Sequence, residues 1–390
     1  MWAVGIGLVL CCAPTILAQP VVRPVFKGND AVGPCREVKL AAINPLRLVL
    51  GWAVIDGPAA GIYLRVRKDW LWDTVQRVDG PCGAQPRDLQ LVHDGVGRLH
   101  VVWTGVERGV RGLYHARYDG ALNTQPALRL NTADVDEGSG DIDFPSIAAD
   151  ARGALLVVWQ ESRPIGFRVR AARLLPDGNF EALGAVSGDP DDTLSGMDPQ
   201  LLTTDPPRVA WHAVDEVGHR LCVEEWREGE RHWRPSEYEL KLSGLRRDQS
   251  LILKDSELGV ITCWQEREEG RGGVALNIPQ DQVIEDTPAR LEETFALPPG
   301  DHAQPNLSGS LPGRLTLAWQ SFSGGQQMLQ LASLFSAERP AEVVRLSDDL
   351  QRFAASPDHV TLGNWSAVAW VDDARNGGSG DVYFTEVNWR

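Results

Sequence analysis

The chain has 390 residues, of which 43% are hydrophobic and 23% are charged, so it can bury a large core. Acidic residues outnumber basic ones by 53 to 38, and the formal net charge is −15. This charge argues against nucleic acid as a partner, because phosphates select basic surfaces, and against electrostatic binding to anionic membranes. It is compatible with cationic ligands such as Ca²⁺ and with basic partners.

The N-terminal segment, residues 1–18, carries no charged side chain. Its apolar residues 3–12 have the length of the hydrophobic region of a signal peptide. We therefore expect cleavage after Ala18 and a secreted, periplasmic or extracellular mature chain, residues 19–390. An uncleaved anchor and a lipid-modified cysteine at Cys11 or Cys12 are the alternatives. The sequence predicts no membrane span in the mature chain.

Seven tryptophans recur 51 to 56 residues apart, and each ends a short apolar run. They are Trp52, Trp103, Trp159, Trp211, Trp264, Trp319 and Trp370. A fixed period of about 50 residues built on strands is typical of propeller blades. The repeat therefore predicts one closed body in residues 19–390 rather than two or three domains.

The unit around Trp159 shows the order of elements within one repeat. Residues 144–149 are predicted as the first strand, 154–159 as the second, 167–174 as the third and 182–186 as a short outer strand. Turns rich in Gly and Asp separate them. We predict an all-β fold, a single seven-bladed β-propeller of four-stranded antiparallel blades; a six-bladed ring is the alternative.

The last repeat lacks an outer strand, because its third strand ends near Val387 and three residues follow. An unmatched apolar segment, residues 21–26, lies at the other end of the chain. We predict that it supplies the missing strand and closes the ring, which removes an exposed edge.

Two cysteines of the mature chain, Cys35 and Cys82, each follow Gly-Pro at similar places before a repeat tryptophan. We predict that they form a disulfide in an oxidising compartment. Cys263 lies inside an apolar strand pattern and is predicted to be a small core residue.

Carboxylates are concentrated in the loops between blades and in the last blade. Calcium prefers several oxygen ligands from flexible acidic loops of this kind. The candidate ligands are Asp134, Asp136, Asp141, Asp189, Asp191 and Asp381. The alternative is a set of solvated acidic loops that bind no metal, and no other cofactor is predicted.

A second set of charged residues follows three of the repeat tryptophans. The candidate catalytic carboxylates are Glu161, Glu266, Asp372 and Asp373, and the candidate substrate-binding arginines are Arg163, Arg267 and Arg375. A glycosidase that acts on an acidic sugar needs paired carboxylates and arginines that bind a carboxylate. Recurrence at one repeat position favours a structural Glu–Arg pair instead.

The segment from Pro145 to Trp159, and the segment Trp370 to Phe384, resemble repeats of secreted bacterial propellers and, in layout, the sialidase-like superfamily. That group carries an Asp box in the turn between the third and fourth strands. Here this turn reads Lys-Asp-Trp-Leu-Trp at residues 68–72, which is at best a degenerate box. The resemblance implies a propeller but no catalytic residues, since sialidases have six blades and their arginine triad has no counterpart here.

The sequence therefore favours a secreted, monomeric, non-catalytic binding module with a glycan or protein ligand on the acidic loop face. A sialidase-like or other glycoside-active enzyme is the alternative.

Overall fold

The computed structural model describes most of the chain from Pro20 onward. The described residues are 20–29, 35–80, 84–119, 123–124, 127–130, 140–150, 152–164, 166–187, 195–204, 206–214, 219–241, 251–256, 259–268, 271–277, 289–290, 301–309, 314–323, 326–334, 342–347, 354–372 and 380–389. All their regular elements are β-strands, and within these ranges no helix is long and apolar enough to cross a membrane.

The strands form seven antiparallel sheets, numbered here in chain order. Two short strands come first, β1 (Val21–Val22) and β2 (Phe26–Lys27). The first sheet contains β3 (Glu37–Asn44), β4 (Arg47–Val54), β5 (Gly61–Lys68), β6 (Leu71–Trp72) and β7 (Gln76–Arg77). The second contains β8 (Ala84–His93), β9 (Leu99–Glu107), β10 (Val110–Asp119), β11 (Asn123–Thr124) and β12 (Leu128–Arg129).

The third sheet contains β13 (Ile142–Ala149), β14 (Leu155–Ser162), β15 (Phe167–Leu174) and β16 (Phe180–Ala185). The fourth contains β17 (Ser195–Thr204), β18 (Pro207–Val214), β19 (His219–Arg227) and β20 (His232–Lys241). The fifth contains β21 (Leu251–Ser256), β22 (Gly259–Glu268), β23 (Arg271–Asn277) and β24 (Ala289–Arg290). The sixth contains β25 (Asp301–Gly309), β26 (Leu315–Ser323), β27 (Gln326–Leu334) and β28 (Glu342–Arg345). The seventh contains β29 (Ala354–Leu362), β30 (Trp365–Asp372) and β31 (Asp381–Asn388).

The first strands of the sheets contact one another in a closed order. Strand β3 contacts β8, and the contacts continue through β13, β17, β21, β25 and β29, which returns to β3. Within each sheet the strands follow in sequence outward from this inner ring. Radial antiparallel sheets around a ring of inner strands are the layout of a β-propeller, and the predicted all-β fold class is confirmed.

The repeat tryptophans lie on the second strand of every sheet, where neighbouring sheets enclose both faces. Trp52, Trp103, Trp319 and Trp370 are all 0% exposed. Three of them stack on the tyrosine opposite in the third strand, with ring centroids about 6 Å apart (Trp52–Tyr63, Trp103–Tyr114 and Trp370–Tyr383). The period in the sequence thus arises from one large ring that fills the same space between sheets in each repeat.

The N-terminal segment completes the seventh sheet. Strands β1 and β2 both pair antiparallel with β31, with Val22 opposite Val387 and Phe26 opposite Phe384. Between the two strands, the backbone N–H of Arg23 donates to Glu386 O at 2.9 Å. After β2, the backbone N–H of Gly28 donates to Val382 O at 2.7 Å. The predicted closure of the ring by this segment is confirmed.

Cys35 is buried beside this closure, where it forms an isolated bridge with Gly380 and its Sγ accepts a hydrogen bond from Asn29 at 3.3 Å. Cys82 lies outside the described residues, so the Cys35–Cys82 disulfide stays a prediction. Cys263 is 0% exposed, which confirms its predicted place in the core.

Candidate functional site

Five first strands carry a β-bulge near their start, where the register with the second strand shifts. One residue of each bulge has a positive φ between 48° and 55° and a partly or fully exposed side chain. We call these residues the bulge ring: Asp88, Phe144, Asp198, Gln304 and Ser356. Because the first strands surround the axis and the bulges share one end of them, the bulge ring marks one mouth of the propeller. Bulges of this kind often re-aim side chains at rims and sites.

The polar residue directly after the repeat tryptophan supports the bulge ring. Thr104 Oγ1 donates to Asp88 Oδ2 at 2.8 Å, and in the sixth sheet Gln320 Nε2 donates to the bulge residue of β25 at 2.6 Å. Gln160 reaches the next sheet, where its Oε1 accepts the backbone N–H of Asp198 at 3.1 Å. The bulges are therefore held by side chains of the second strands.

A charged cluster lies at the mouth where the second and third sheets meet; it consists of Arg87, Asp88, Arg111, Asp141 and Asp143. Arg87 donates from Nη2 to Asp143 Oδ1, and its Nε lies 3.5 Å from Asp88 Oδ2. Arg111 Nε is 3.6 Å from the same oxygen of Asp143, and the Arg111 backbone N–H donates to Asp141 Oδ1 at 2.9 Å. Because the cluster pairs three carboxylates with two guanidinium groups, its charges largely compensate one another.

Two carboxyl groups at this mouth have raised pKa values. Burial raises the pKa of Asp88, against the lowering effects of its hydrogen bond from Thr104 and of Arg87. Burial, and then the charge of Asp88, raise the pKa of Glu37 on β3 to about 7. A carboxyl group whose pKa is raised towards 7 can exchange a proton at neutral pH, which makes Glu37 a candidate for proton transfer.

An exposed aromatic ring borders the charged cluster. Phe144 follows Asp143 directly, has a φ of 51° and is 50% exposed. The other members of the bulge ring are polar. A bulky residue in the left-handed region, with its ring in solvent, is uncommon enough to suggest a role in binding.

The structure places the predicted catalytic residues in different surroundings. Glu161 is buried at the end of β14, where its Oε2 lies 3.6 Å from Arg170 Nη1 and burial raises its pKa. Arg163 follows in the turn, where its backbone N–H donates to Gly166 O at 3.0 Å. Asp372 ends β30 of the seventh sheet and is buried, so it does not share a sheet with Glu161.

The side chains of the other four predicted catalytic and substrate-binding residues are not described. Glu266 and Arg267 lie on β22, and only their backbone is described. Asp373 and Arg375 lie outside the described residues. A catalytic role for the candidate set stays a prediction.

The two described candidate calcium ligands are in separate sheets, and each has a protein partner. Asp141 accepts from Arg111 as above, and Asp381 Oδ2 lies 2.8 Å from Lys27 Nζ. Asp134, Asp136, Asp189 and Asp191 lie outside the described residues. The part of the chain that is described contains no group of three His, Cys, Asp or Glu side chains suited to a metal ion.

The sequence analysis did not single out the bulge ring or Glu37, Arg87 and Arg111. The sequence does contain one signal for the bulge ring, because a proline directly follows four of its five residues (Pro145, Pro199, Pro305 and Pro357). Glu37 and Asp88 lie on the first strands of two different sheets, so no local pattern in the sequence predicts that they are close together.

Comparisons with known proteins agree with this fold. No protein-family model matches the chain, and no curated protein matches its sequence. A solved polysaccharide lyase named as an ulvan lyase of a new family has a TM-score of 0.58, with 9% identity over 90% of this chain and 94% of its own. The polysaccharide lyase Uly1 has a TM-score of 0.57, with 10% identity over 93% and 91%.

A protein of unknown function from Dyadobacter fermentans DSM 18053 has a TM-score of 0.51, with 12% identity over 96% of this chain and 99% of its own. Solved sialidases are also among the matches. At these identities the likeness concerns the fold alone. The chain has a β-propeller fold, as its repeats predicted.

Proposed function

We propose that this protein is a glycan-binding β-propeller whose ligand occupies the mouth beside the bulge ring and the charged cluster. The observation that carries the proposal is the exposed side chain of Phe144, which directly follows Asp143 of the Arg87–Asp143 ion pair. An apolar face flanked by a few convergent polar groups is the usual composition of a small-ligand site.

We propose further that each of the seven sheets is one blade of a seven-bladed ring. The seven tryptophan repeats and the closed order of contacts among the first strands support this number.

A sugar fits this chemistry better than an isolated ion. Its C–H face can pack on an aromatic ring, and its hydroxyl groups can both donate to carboxylates and accept from guanidinium groups. The compensated charges of the cluster disfavour a single small anion or cation. The polysaccharide lyases among the fold neighbours make a polysaccharide a reasonable first ligand, by analogy of fold only.

Binding can be tested by titrating a panel of neutral and uronic-acid-containing polysaccharides in calorimetry. We expect one class to bind, and Phe144→Ala to weaken that binding by about two- to tenfold, since stacking on an aromatic ring contributes roughly 0.5–1.5 kcal/mol. Trp70→Ala is the matched control, because Trp70 is also an exposed aromatic residue, at 44%, but lies in the turn between β5 and β6, at the opposite end of the first strands from the bulge ring. Equal affinities in both variants would refute the site, and no binding by any polysaccharide would refute the function.

The raised pKa of Glu37 favours a second candidate, a glycoside-active enzyme. In that function the protonated Glu37 would donate a proton to the leaving oxygen as the glycosidic bond breaks. The Asp88 carboxylate would accept a proton, from the attacking water in a hydrolase or from the sugar ring carbon in a lyase. Glu37→Gln should then abolish release of reducing ends or of unsaturated sugars while polysaccharide binding persists. Activity that survives Glu37→Gln but is lost in Glu161→Gln and Asp372→Asn would assign the chemistry to the second strands instead.

Four further properties complete the proposal. We infer secretion with removal of residues 1–18, a Cys35–Cys82 disulfide, a monomeric state and Ca²⁺ on the acidic loops. N-terminal sequencing, mass measurement with and without reductant, light scattering and thermal unfolding with Ca²⁺ or chelator test them separately.

A further inference from the structure

Several large apolar side chains are exposed together at the opposite end of the first sheet from the mouth. Trp70, in the turn between β5 and β6, is 44% exposed, and Leu71, the first residue of β6, is 76% exposed. Leu46 is 39% exposed in the turn between β3 and β4. Val21 and Val22 of the closing strand are 38% and 37% exposed. We call these five residues the hairpin patch.

Contacts between the segments make the patch continuous. The backbone N–H of Asp69 donates to Leu46 O at 3.1 Å, which joins the two turns. The guanidinium of Arg23 lies 4.5 Å from the centre of the Trp70 ring and so joins the closing strand to them. Arg67, which is buried, lies 4.9 Å from the same ring. Trp70 is therefore held in place between two arginines although its ring is exposed.

The rim of the patch carries more basic than acidic side chains, in an otherwise acidic chain. Arg23, Arg47 and Lys68 are exposed, as is Asp69 of the turn. Glu386 is shared between Arg23 and the buried Arg67, so Arg47 and Lys68 supply the excess of positive charge. Arg47 and Lys68 are directly opposite each other on β4 and β5, an arrangement of like charges that destabilises a sheet. An anionic surface would relieve this repulsion. Acidic residues elsewhere on the molecule are screened beyond about 10 Å at ordinary salt, so the net charge of −15 does not prevent such a contact.

We propose that the hairpin patch docks the propeller on an anionic lipid surface. Tryptophan at the headgroup level, aliphatic side chains below it and arginine or lysine around them form the usual composition of an interfacial membrane contact. Lys68 ends the third strand of its sheet, and Leu46 follows the first, whereas the bulge ring lies where first strands begin. Docking through the patch leaves the mouth directed away from the lipid. This inference does not depend on the proposed ligand of the mouth.

The test is co-sedimentation of the chain beginning at Gln19 with vesicles of phosphatidylcholine, with and without phosphatidylglycerol. We expect binding to the vesicles that contain phosphatidylglycerol and its reduction by high salt. Removing two basic side chains in Arg47→Ser/Lys68→Ser should weaken binding by roughly tenfold or more. Leu71→Ser should weaken it several-fold, because the buried apolar area contributes separately.

Leu128→Ser is the matched control, since Leu128 is 54% exposed on β12 of another sheet, and it should bind as the parent does. Far-ultraviolet circular dichroism confirms that each variant is folded. Absence of vesicle binding, or equal binding by all variants, would overturn the proposal. A dimer in light scattering that Leu71→Ser dissociates would assign the patch to a second copy of the chain and also overturn it.

Discussion

The Asp358 carboxylate accepts a 2.7 Å hydrogen bond from the backbone N–H of Leu40, a residue 318 positions away in the chain. The bond joins the first strand of the seventh sheet to that of the first sheet. Ser308 makes the corresponding contact one sheet earlier, where its Oγ accepts the Thr361 N–H at 3.0 Å. A side chain of one inner strand thus satisfies the backbone of the next, and at Asp358 this arrangement closes the ring.

Asp358→Ala should lower the free energy of unfolding by about 2 kcal/mol, because the buried Leu40 amide loses its acceptor. Asp358→Asn retains an acceptor oxygen and should lose less. Urea unfolding of both variants measures the difference. Equal losses in the two would show that the carboxylate does not act through this amide.

Arg67→Ala should be among the most damaging substitutions in the chain. Arg67 is 3% exposed, and its Nη2 lies 2.8 Å from Glu386 Oε1, which is also buried. Glu386 would keep the exposed Arg23, whose Nη1 lies 3.1 Å from Oε2, so loss of the buried partner should cost about 3 kcal/mol, the lower end of the range for broken buried ion pairs.

The double variant Arg67→Met/Glu386→Leu removes both charges and should be more stable than Arg67→Ala alone. Thermal and urea unfolding of the single and double variants provide the comparison. A double variant that is less stable than Arg67→Ala would contradict the prediction.

Glu37 should make stability depend on pH in a defined window. Its pKa in the folded protein is about 7, above the ordinary value of 4.5, so the folded state binds more protons than the unfolded state between these values. The stability that Glu37 contributes therefore increases as pH falls from about 7 towards 4.5 and is lost as pH rises through 7. Glu37→Gln should flatten this part of the profile. Urea midpoints at about pH 5 and about pH 8 measure it, and an unchanged slope in the variant would be the contrary result.

Deletion of residues 19–30 should cost far more than the loss of an ordinary terminus. It removes β1 and β2 and exposes the edge of β31, and it also removes Asn29, whose Oδ1 accepts the Val382 N–H at 2.9 Å. We expect a lower unfolding temperature and association of the exposed edges in size-exclusion chromatography. Val21→Ser/Val22→Ser keeps the main-chain hydrogen bonds and should stay monomeric. A deletion variant as stable as the parent would contradict the closure argument.

The architecture could be predicted from the sequence because each repeat contains a recognisable local pattern. A tryptophan such as Trp103 ends an apolar run of sequence in each unit, and the missing last strand has an apolar counterpart at Val21 and Val22. The site was harder to predict. The residue after the tryptophan supports the bulge ring in three repeats, through Thr104, Gln160 and Gln320. A residue two positions after it, Glu161, is instead buried against Arg170.

Side chains of a strand alternate between its two faces, and only the register with the neighbouring strand decides which of them approaches the mouth. The bulges shift that register, and the sequence shows them only through the prolines that follow. The position of Glu37 near Asp88 depends on how two sheets pack, which no segment of the sequence records by itself.

The first described strand pairs with the last, and this has a consequence for the order of assembly. A ribosome releases β1 long before β31 exists, so the earliest strand has no partner until synthesis is nearly complete. The second to sixth sheets can form as their strands are synthesised. The seventh sheet can be completed only when the N-terminal strand pairs with β31, after nearly the whole chain has been made. Ring closure is therefore the last step of folding and the slowest to nucleate, since it depends on the contact most distant along the chain.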